Sequence, residues 1–266
     1  MSLSRRRLAE LSGLARRAGR EATGVFLVEG LRSVEAALEA RASLVELLAT
    51  EAALATPRGQ ALAEAAARAG VPLTATDDRA LARFSDVQTA QGVAALARRV
   101  VREDIAALEG ARAVVALDGV QDPGNVGTLV RTAAWFGADA VLADTRSADF
   151  ESPKVVRATM GGLWDVRLVR VPHLTEALAA LRAYGLALYG ADLGGTDVAA
   201  WQPAPRAALV LGSEAHGLGP AVAALLDGRV TIGRGARAAG GACRVGAESL
   251  NVAAAAAVLL HAWLGA

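Results

Sequence analysis

The spacing of apolar positions switches between helical and strand periods several times along this chain, and the switches divide it into elements. Residues 4–20 place Leu8, Leu11, Ala15 and Ala18 on one face of a predicted helix, with Arg5, Arg6, Arg16, Arg17 and Arg20 around the rest. Val25–Gly30 reads as a short strand ending in a glycine turn, and Leu31, Val34 and Leu38 follow at helical spacing. The alternation recurs through SLVELLAT, an Ala-rich helix around Gln60–Ala69, VPLTAT, a short helix near Asp78–Phe84 and QGVAALA. Alternating elements predict a small α/β domain. The charged stretch Arg98–Gly110 breaks the pattern, so residues 1–98 are expected to form one domain, 99–110 a linker and 111–266 a second domain.

The second half opens on Ala113–Val120, an apolar strand. A turn at Asp122, Pro123 and Gly124 leads into a helix starting near Val126, which packs with Val126, Leu129, Val130 and Ala133 and ends at Gly137. Strands near Asp165–Val169, Ala187–Ala191 and Ala207–Leu211, with a helix over Leu174–Tyr184, continue the pattern of a parallel sheet. The last stretch, Gly246–Leu264, is a long helix apolar on nearly every face, so burial on several sides is expected. Ser249 is its expected N-cap, because a hydroxyl accepts from the free N–H groups of a first turn. Asn251 needs partners there and is well placed to hold a polar ligand.

Composition adds little to this picture until the charges are sorted by type. The formal net charge is only +1, yet Lys154 is the sole lysine, so the cations are nearly all guanidinium groups. A coding bias towards Arg and Ala explains most of them; the forked geometry also suits bidentate phosphate contacts. The single cysteine, Cys243, excludes an internal disulfide framework and offers no metal-ligand cluster. No apolar run follows the N-terminal arginines and none is long enough to span a bilayer, so a soluble, cytoplasmic protein with no membrane and no metal partner is expected.

Three constellations carry chemistry. Asn125-Val-Gly127 with Arg131 lies at the mouth of a helix whose free N–H groups attract anions, but it lacks the Lys-Ser/Thr of a phosphate loop and the three-glycine dinucleotide spacing. Leu209–Pro220, LVLGSEAHGLGP, runs a strand into a glycine-rich turn bearing Glu214 and His216; glycine lets a ligand approach the backbone, Glu214 can accept a proton, and His216 reads as a surface turn residue. The third is the terminal stretch with the strand Arg229–Ile232 and the Gly/Arg-rich loop before it. All three turns follow strands, so they are expected to meet at the carboxyl edge of one sheet, the usual ligand crevice.

In this order, NVGTLVR, LVLGSEAHGLG and ESLNVAAAAAVLL resemble motifs 1, 2 and 3 of the SpoU/TrmH family of RNA ribose 2′-O-methyltransferases, within the SPOUT superfamily. SPKVVRATMGG (Ser152–Gly162) is similar to a further segment of that family, and FLVEGLRSVEAAL with QTAQGVAAL resembles its N-terminal substrate-binding domain. The resemblance implies an α/β protein: a parallel-sheet methyltransferase domain with a deep trefoil knot, an exception to unknotted connectivity, preceded by a small α/β RNA-binding domain. It also implies S-adenosyl-L-methionine as cofactor, RNA as substrate (rRNA ahead of tRNA) and a homodimer whose interface hides the last helix.

By motif position, Asn125, Arg131, Glu214, Ser249 and Asn251 fall on the catalytic or substrate-positioning set, and Leu211, Gly212, Gly217, Ile232 and Leu250 on the cofactor set. Arg5, Arg6, Arg7, Arg16, Arg17, Arg32, Arg157 and the loop 234–244 are the candidate RNA contacts, salt-sensitive as phosphate contacts are. Arg131 is the natural phosphate clamp and stabiliser of the developing alkoxide, because a guanidinium is a poor base; Glu214 or a substrate phosphate oxygen is left as proton acceptor. Gly233-Arg234 stands where the family usually has Pro-Met, Ala253 replaces a common Ser, and the loop between Ile232 and Leu250 is longer. A non-catalytic RNA-binding or ribosome-assembly protein on the same fold is the alternative, and a dinucleotide enzyme is disfavoured by the missing fingerprint.

Overall fold

The computed structural model describes residues 3–85, 92–234 and 249–265. Its first half holds α1 (Arg5–Gly13), α2 (Arg17–Thr23), β1 (Val25–Glu29), α3 (Leu31–Glu39), β2 (Leu44–Thr50), α4 (Glu51–Leu54), α5 (Pro57–Arg68), β3 (Leu73–Thr76), α6 (Asp78–Leu81) and β4 (Val93–Arg98). The second half runs β5 (Ala113–Asp118), α7 (Pro123–Trp135), β6 (Ala140–Asp144), α8 (Pro153–Thr159), β7 (Arg167–Val171), α9 (Leu174–Ala183), β8 (Ala187–Asp197), β9 (Ala207–Gly212), α10 (Pro220–Ala223), β10 (Gly228–Thr231) and α11 (Val252–Leu264). Two compact units result: Met1–Val101 with Asp149–Asp165, and Arg102–Ala148 with Val166–Ala266.

The first unit is built on a four-stranded sheet of order β1-β4-β2-β3, antiparallel except for the parallel pair β2 and β3. The single basic helix expected over residues 4–20 is instead two. Ser4 caps α1, the chain turns after Gly13, and α2 begins at Arg17. A Cβ on Gly19 would lie 2.2 Å from the Gly13 carbonyl oxygen, so the close turn needs glycine there. Leu8, Leu11 and Leu14 enter the core, whereas Ala15 is exposed and Ala18 with it. Arg20 is buried, not on the solvent face: its Nη1 donates to the Leu14 and Ala15 carbonyls and its Nη2 to Asp149 at 2.6 Å.

Asp149–Asp165 packs with this unit although the sequence pattern leaves it in the second domain. Trp164 stacks on Phe26, Glu151 accepts from Arg99 and from the N–H groups of Val100 and Val101, and Arg157 pairs with the buried Glu29. These partners lie some fifty residues or more away in sequence, beyond the reach of periodicity.

The second unit holds a six-stranded, fully parallel sheet of order β10-β8-β9-β5-β6-β7. Val114, Ala116, Leu142, Val169, Leu188 and Val210 face one core with Leu174, Leu178 and Leu181 of α9. The alternate positions Val115, Leu117, Val141, Leu209 and Leu211 are also buried, as strands covered on both faces require. The expected linker 99–110 is not free chain. Arg102 bridges to Val169, and Leu108 is wholly buried in this core.

Helix α11 starts at Val252, later than expected, and packs on α7 and β9, burying Ala253, Ala256, Leu259 and Leu260. Burial on several sides does not occur within the single chain: Val258 is 42% exposed and Trp135, at the end of α7, is 83% exposed. Among the described residues no helix is long and apolar enough to cross a membrane.

Candidate active site

Parallel pairing brings the carboxyl ends of β5, β9 and β10 to one edge of the sheet, with Asp118 in register with Gly212. The turn after β5 enters α7 earlier than its apolar spacing suggests. Asp122 is the N-cap, its Oδ1 accepting the Asn125 N–H at 2.8 Å, and Pro123 supplies a first helical residue with no N–H to satisfy. Asn125 therefore lies in the first turn of α7. After β9, Ser213 and Gly217 exchange backbone hydrogen bonds of 3.0 and 2.9 Å and close a loop that presents Glu214 and His216 to solvent. A Cβ on Gly212 would meet the Gly217 carbonyl carbon at 2.2 Å, and Gly217 has φ +64°, so both glycines are required by this closure.

The three segments are joined by one directed chain of amides. The Asn251 Oδ1 accepts the N–H groups of Ala253 and Ala254 at 2.9 and 3.3 Å. Asn251 is thus the N-cap of α11, correcting the expectation for Ser249, which is an exposed bend residue two positions earlier. With its oxygen committed, Asn251 must donate from Nδ2, and it does so to Asn125 Oδ1 at 3.0 Å. Asn125 in turn donates from Nδ2 to Glu214 Oε1 at 2.6 Å. Backbone N–H groups at one end and a carboxylate at the other fix both amide orientations. Asn125 and Glu214 are 89 residues apart, and Asn125 and Asn251 126. Arg131 is exposed on α7, and its side chain makes no hydrogen bond or ion pair among the described residues.

A second cluster at the same edge was not anticipated from the sequence. Asp118 and Asp144 end β5 and β6 and are each 2% exposed. Arg146 donates from Nε to Asp144 Oδ2 at 2.6 Å and from Nη2 to Asp118. The Arg146 guanidinium is held above its ordinary pKa, first by the hydrogen bond and charge of Asp144 and then by Asp118, so it stays a cation throughout the working range. Asp118 also accepts the Gly219 N–H, and Asp144 the N–H groups of Gly119 and Ser147 and the Ser147 hydroxyl. The signal for this cluster was legible: two apolar strands, AVVALD and AVLAD, both end in aspartate, and a buried carboxylate needs donors.

The expected cofactor positions fall on the same three segments. Leu211 is buried at the end of β9, Gly212 and Ile232 are half-buried, and Gly217 and Leu250 are exposed. Leu250, one residue before Asn251, is an apolar side chain 54% open. The open space beside Gly217 and the apolar side chains of Ile232 and Leu250 suit a nucleoside cofactor, whose base needs an apolar slot and whose polar edges need backbone groups. The Gly233 N–H donates to Asp197 Oδ2 at 3.1 Å, a bond that the proline usual at this place in the family could not make. Residues 235–248, which include Cys243, Arg237 and Arg244, lie outside the described residues.

The expected RNA contacts outside the loop 234–244 all belong to the first unit and divide into two kinds. Arg6 and Arg7 pair with Glu10, Arg7 also with Glu46, Arg17 with Glu21 at 2.5 Å, and Arg157 with Glu29. Arg5, Arg16 and Arg32 are exposed and make no ion pair among the described residues.

Comparison with known proteins agrees with these arrangements. The MRM3-like substrate binding domain matches residues 6–95 and the SpoU rRNA Methylase family residues 112–261. The 23S rRNA (guanosine(2553)-2'-O)-methyltransferase RlmP of Bacillus subtilis is 30% identical over 245 residues, 91% of this chain and 89% of that protein. A Burkholderia 23S rRNA (guanosine-2'-O-)-methyltransferase RlmB is 32% identical over 198 residues, 72% and 80% of the two chains. Among solved structures, a putative RNA methyltransferase of the TrmH family from Porphyromonas gingivalis superposes with TM-score 0.77 at 34% identity, over 99% and 98% of the chains. The SpoU methyltransferase AviRb from Streptomyces viridochromogenes, in complex with AdoMet, gives 0.78 at 26% identity, over 96% of each. The chain, with motifs 1, 2 and 3 tied together through Asn125, Glu214 and Asn251, belongs to the SpoU rRNA methylase family.

Proposed function

We propose that this protein transfers a methyl group from S-adenosyl-L-methionine to a ribose 2′-OH of a structured RNA, rRNA ahead of tRNA. The observation that carries the reading is the Asn251–Asn125–Glu214 chain, which unites three segments at one sheet edge and ends on an exposed carboxylate. Relatives over nearly the whole chain are named as 23S rRNA 2′-O-methyltransferases, and a neighbour holds AdoMet.

The cofactor, when bound, supplies an electrophilic methyl group; Leu211, Gly212, Gly217, Ile232 and Leu250 would hold it. The chain's own residues do the rest. Asn125 fixes Glu214 through Oε1, leaving Oε2 without a hydrogen bond among the described residues and ready to take the proton of the 2′-OH. Arg131, exposed and unpaired among the described residues, clamps the phosphate beside the target ribose and stabilises negative charge developing on its oxygen. Ser249 and Asn251 complete the polar surface around the sugar. The first unit, residues 1–98 as read from the sequence, binds the RNA, with Arg5, Arg16 and Arg32 contributing most because their guanidinium groups are uncommitted among the described residues.

The methyltransferase domain carries the deep trefoil knot of the SPOUT superfamily, and the enzyme works as a cytoplasmic homodimer. The dimer is supported by the apolar surface that one chain leaves open around Trp135 and Val258. Transfer of tritiated methyl from S-adenosyl-L-methionine to rRNA, with 2′-O-methyl marks mapped in total RNA from cells with and without the protein, tests the reading. A single missing mark is the expected result; RNA binding with no transfer would favour the assembly-protein alternative.

A further inference from the structure

The methyl-transfer reading leaves the most conspicuous buried charges of the second unit unused. Asp118 and Asp144 have side chains only 1% and 3% exposed, and the cation that bridges them, Arg146, has a side chain 64% exposed. Each carboxylate also holds a loop. Asp118 Oδ2 accepts the Gly219 N–H at 2.7 Å, two residues after the Ser213–Gly217 closure that carries Glu214. Asp144 Oδ1 accepts the Gly119 N–H at 3.1 Å, three residues before the Asp122 cap that sets Asn125. Gly119 has φ +71° and lies beneath the guanidinium: a Cβ there would sit 3.7 Å from Arg146 Cζ.

We propose that Arg146 is a positioning residue for the transfer: by bridging Asp118 and Asp144 it holds the Glu214 loop in register with the turn that presents Asn125. Two facts make the bridge a rigid one. Nε and Nη2 form a planar fork that engages both carboxylates at once, which an ammonium on a flexible stem does not reproduce. The turn that bears Arg146 is itself fixed from the buried side by Arg170, whose Nη2 donates to the Thr145 and Ser147 carbonyls at 2.8 and 3.1 Å. Arg146 can therefore be changed without releasing its turn. What changes is the pair of buried carboxylates, which repel once the cation between them is gone or reduced to one hydrogen bond. Each then drags the loop it holds. The Asn125–Glu214 hydrogen bond of 2.6 Å spans those two loops and is the first geometry to suffer.

The proposal rests on the methyl-transfer reading for its kinetic arm only. Arg146→Lys is expected to lower kcat for methyl transfer by about tenfold, within the ~10²-fold that a misplacement of about 1 Å can cause, while KM for S-adenosyl-L-methionine stays within about twofold. In a Glu214→Gln background the same substitution should cost nothing further, because the geometry it protects is already without use. Amide hydrogen exchange, read on the same proteins without RNA or cofactor, should speed across Ser213–Gly219 and stay unchanged in β5 and β9. Asp118→Asn, which keeps the shape but removes one charge, should give the same exchange pattern and covers the case of an Arg146→Lys protein that does not fold. Unchanged kcat, additive losses in the double variant, or unchanged exchange in the Glu214 loop would each overturn the proposal. A wild-type protein that transfers no methyl group would refute the functional reading instead, and the exchange comparison would still decide the clamp.

Discussion

The carboxyl edge of the parallel sheet and the arginine-rich first helices look equally functional as sets of residues, and their bonding separates them. At the sheet edge, polar side chains reach partners 89 and 126 residues away and form one directed chain. In α1 and α2 the arginines turn mostly to neighbours, Arg6 to Glu10 and Arg17 to Glu21, both one helical turn on. Exposed pairs of that kind contribute little to stability and arise wherever opposite charges fall four apart. Long-range polar contacts are different, because they must be held by the fold on both sides. Distance in sequence alone does not mark a site, since Arg20 reaches Asp149, 129 residues on, in the interior; the sheet edge differs in joining its long-range partners into one chain that ends on an exposed carboxylate.

Substitutions test that contrast most sharply where the chemistry is concentrated. Glu214→Gln should lower kcat by about 10²-fold with little change in KM for the cofactor, as removal of a general base does; steady-state kinetics with tritiated cofactor checks it, and an unchanged rate removes Glu214 as proton acceptor. Arg131→Lys should lower the rate about tenfold and raise KM for RNA, since a point charge replaces a bidentate fork; near-normal turnover would count against the clamp.

Asn251→Ala removes a helix cap as well as a link in the amide chain. Thermal or urea unfolding should show a destabilisation of about 1 kcal/mol, whereas Ser249→Ala should leave stability within error, the reverse of what the sequence pattern suggests. The smallest effects belong to the first unit. Replacing Arg5, Arg16 or Arg32 by Gln should weaken RNA binding and flatten its salt dependence by about 0.7–0.9 in log–log slope for each phosphate no longer neutralised. Arg17→Gln should do so by less, because Arg17 is already paired with Glu21. Filter-binding titrations across a salt series give both slopes, and equal effects from paired and unpaired arginines would dissolve the distinction between the two regions.

Much of the fold was legible. The apolar runs at β5, β6 and β9 and the helical spacing of α7 and α9 are local patterns, and buried parallel strands announce themselves as continuous apolar segments. What failed did so where a distant contact overrules a local preference. Ser249 and Asn251 are both acceptable caps, and the hydrogen bond to Asn125 supports the later one. Arg20 reads as one more solvent-facing cation, but Asp149, 129 residues on, and two carbonyls left by the break after α1 hold its two terminal nitrogens in the interior. The stretch 99–110 reads as a charged linker, yet Leu108 is part of the core, with Ile105 and Ala107 packed against it.

The sequence by itself determined most of the elements, the three motifs and their placement after strands, because strand period, helix period and glycine turns are set by neighbours within a few residues. Only the tertiary structure decided which side chains complete one another. Asn125, Glu214 and Asn251 become a single chain, and Asp118, Asp144 and Arg146 a single clamp, because parallel pairing aligns the ends of β5, β6 and β9 at one edge. Hydrogen bonds between buried or fixed polar groups act over about 3 Å of space, and a linear pattern holds no record of which distant residues the sheet will bring within it.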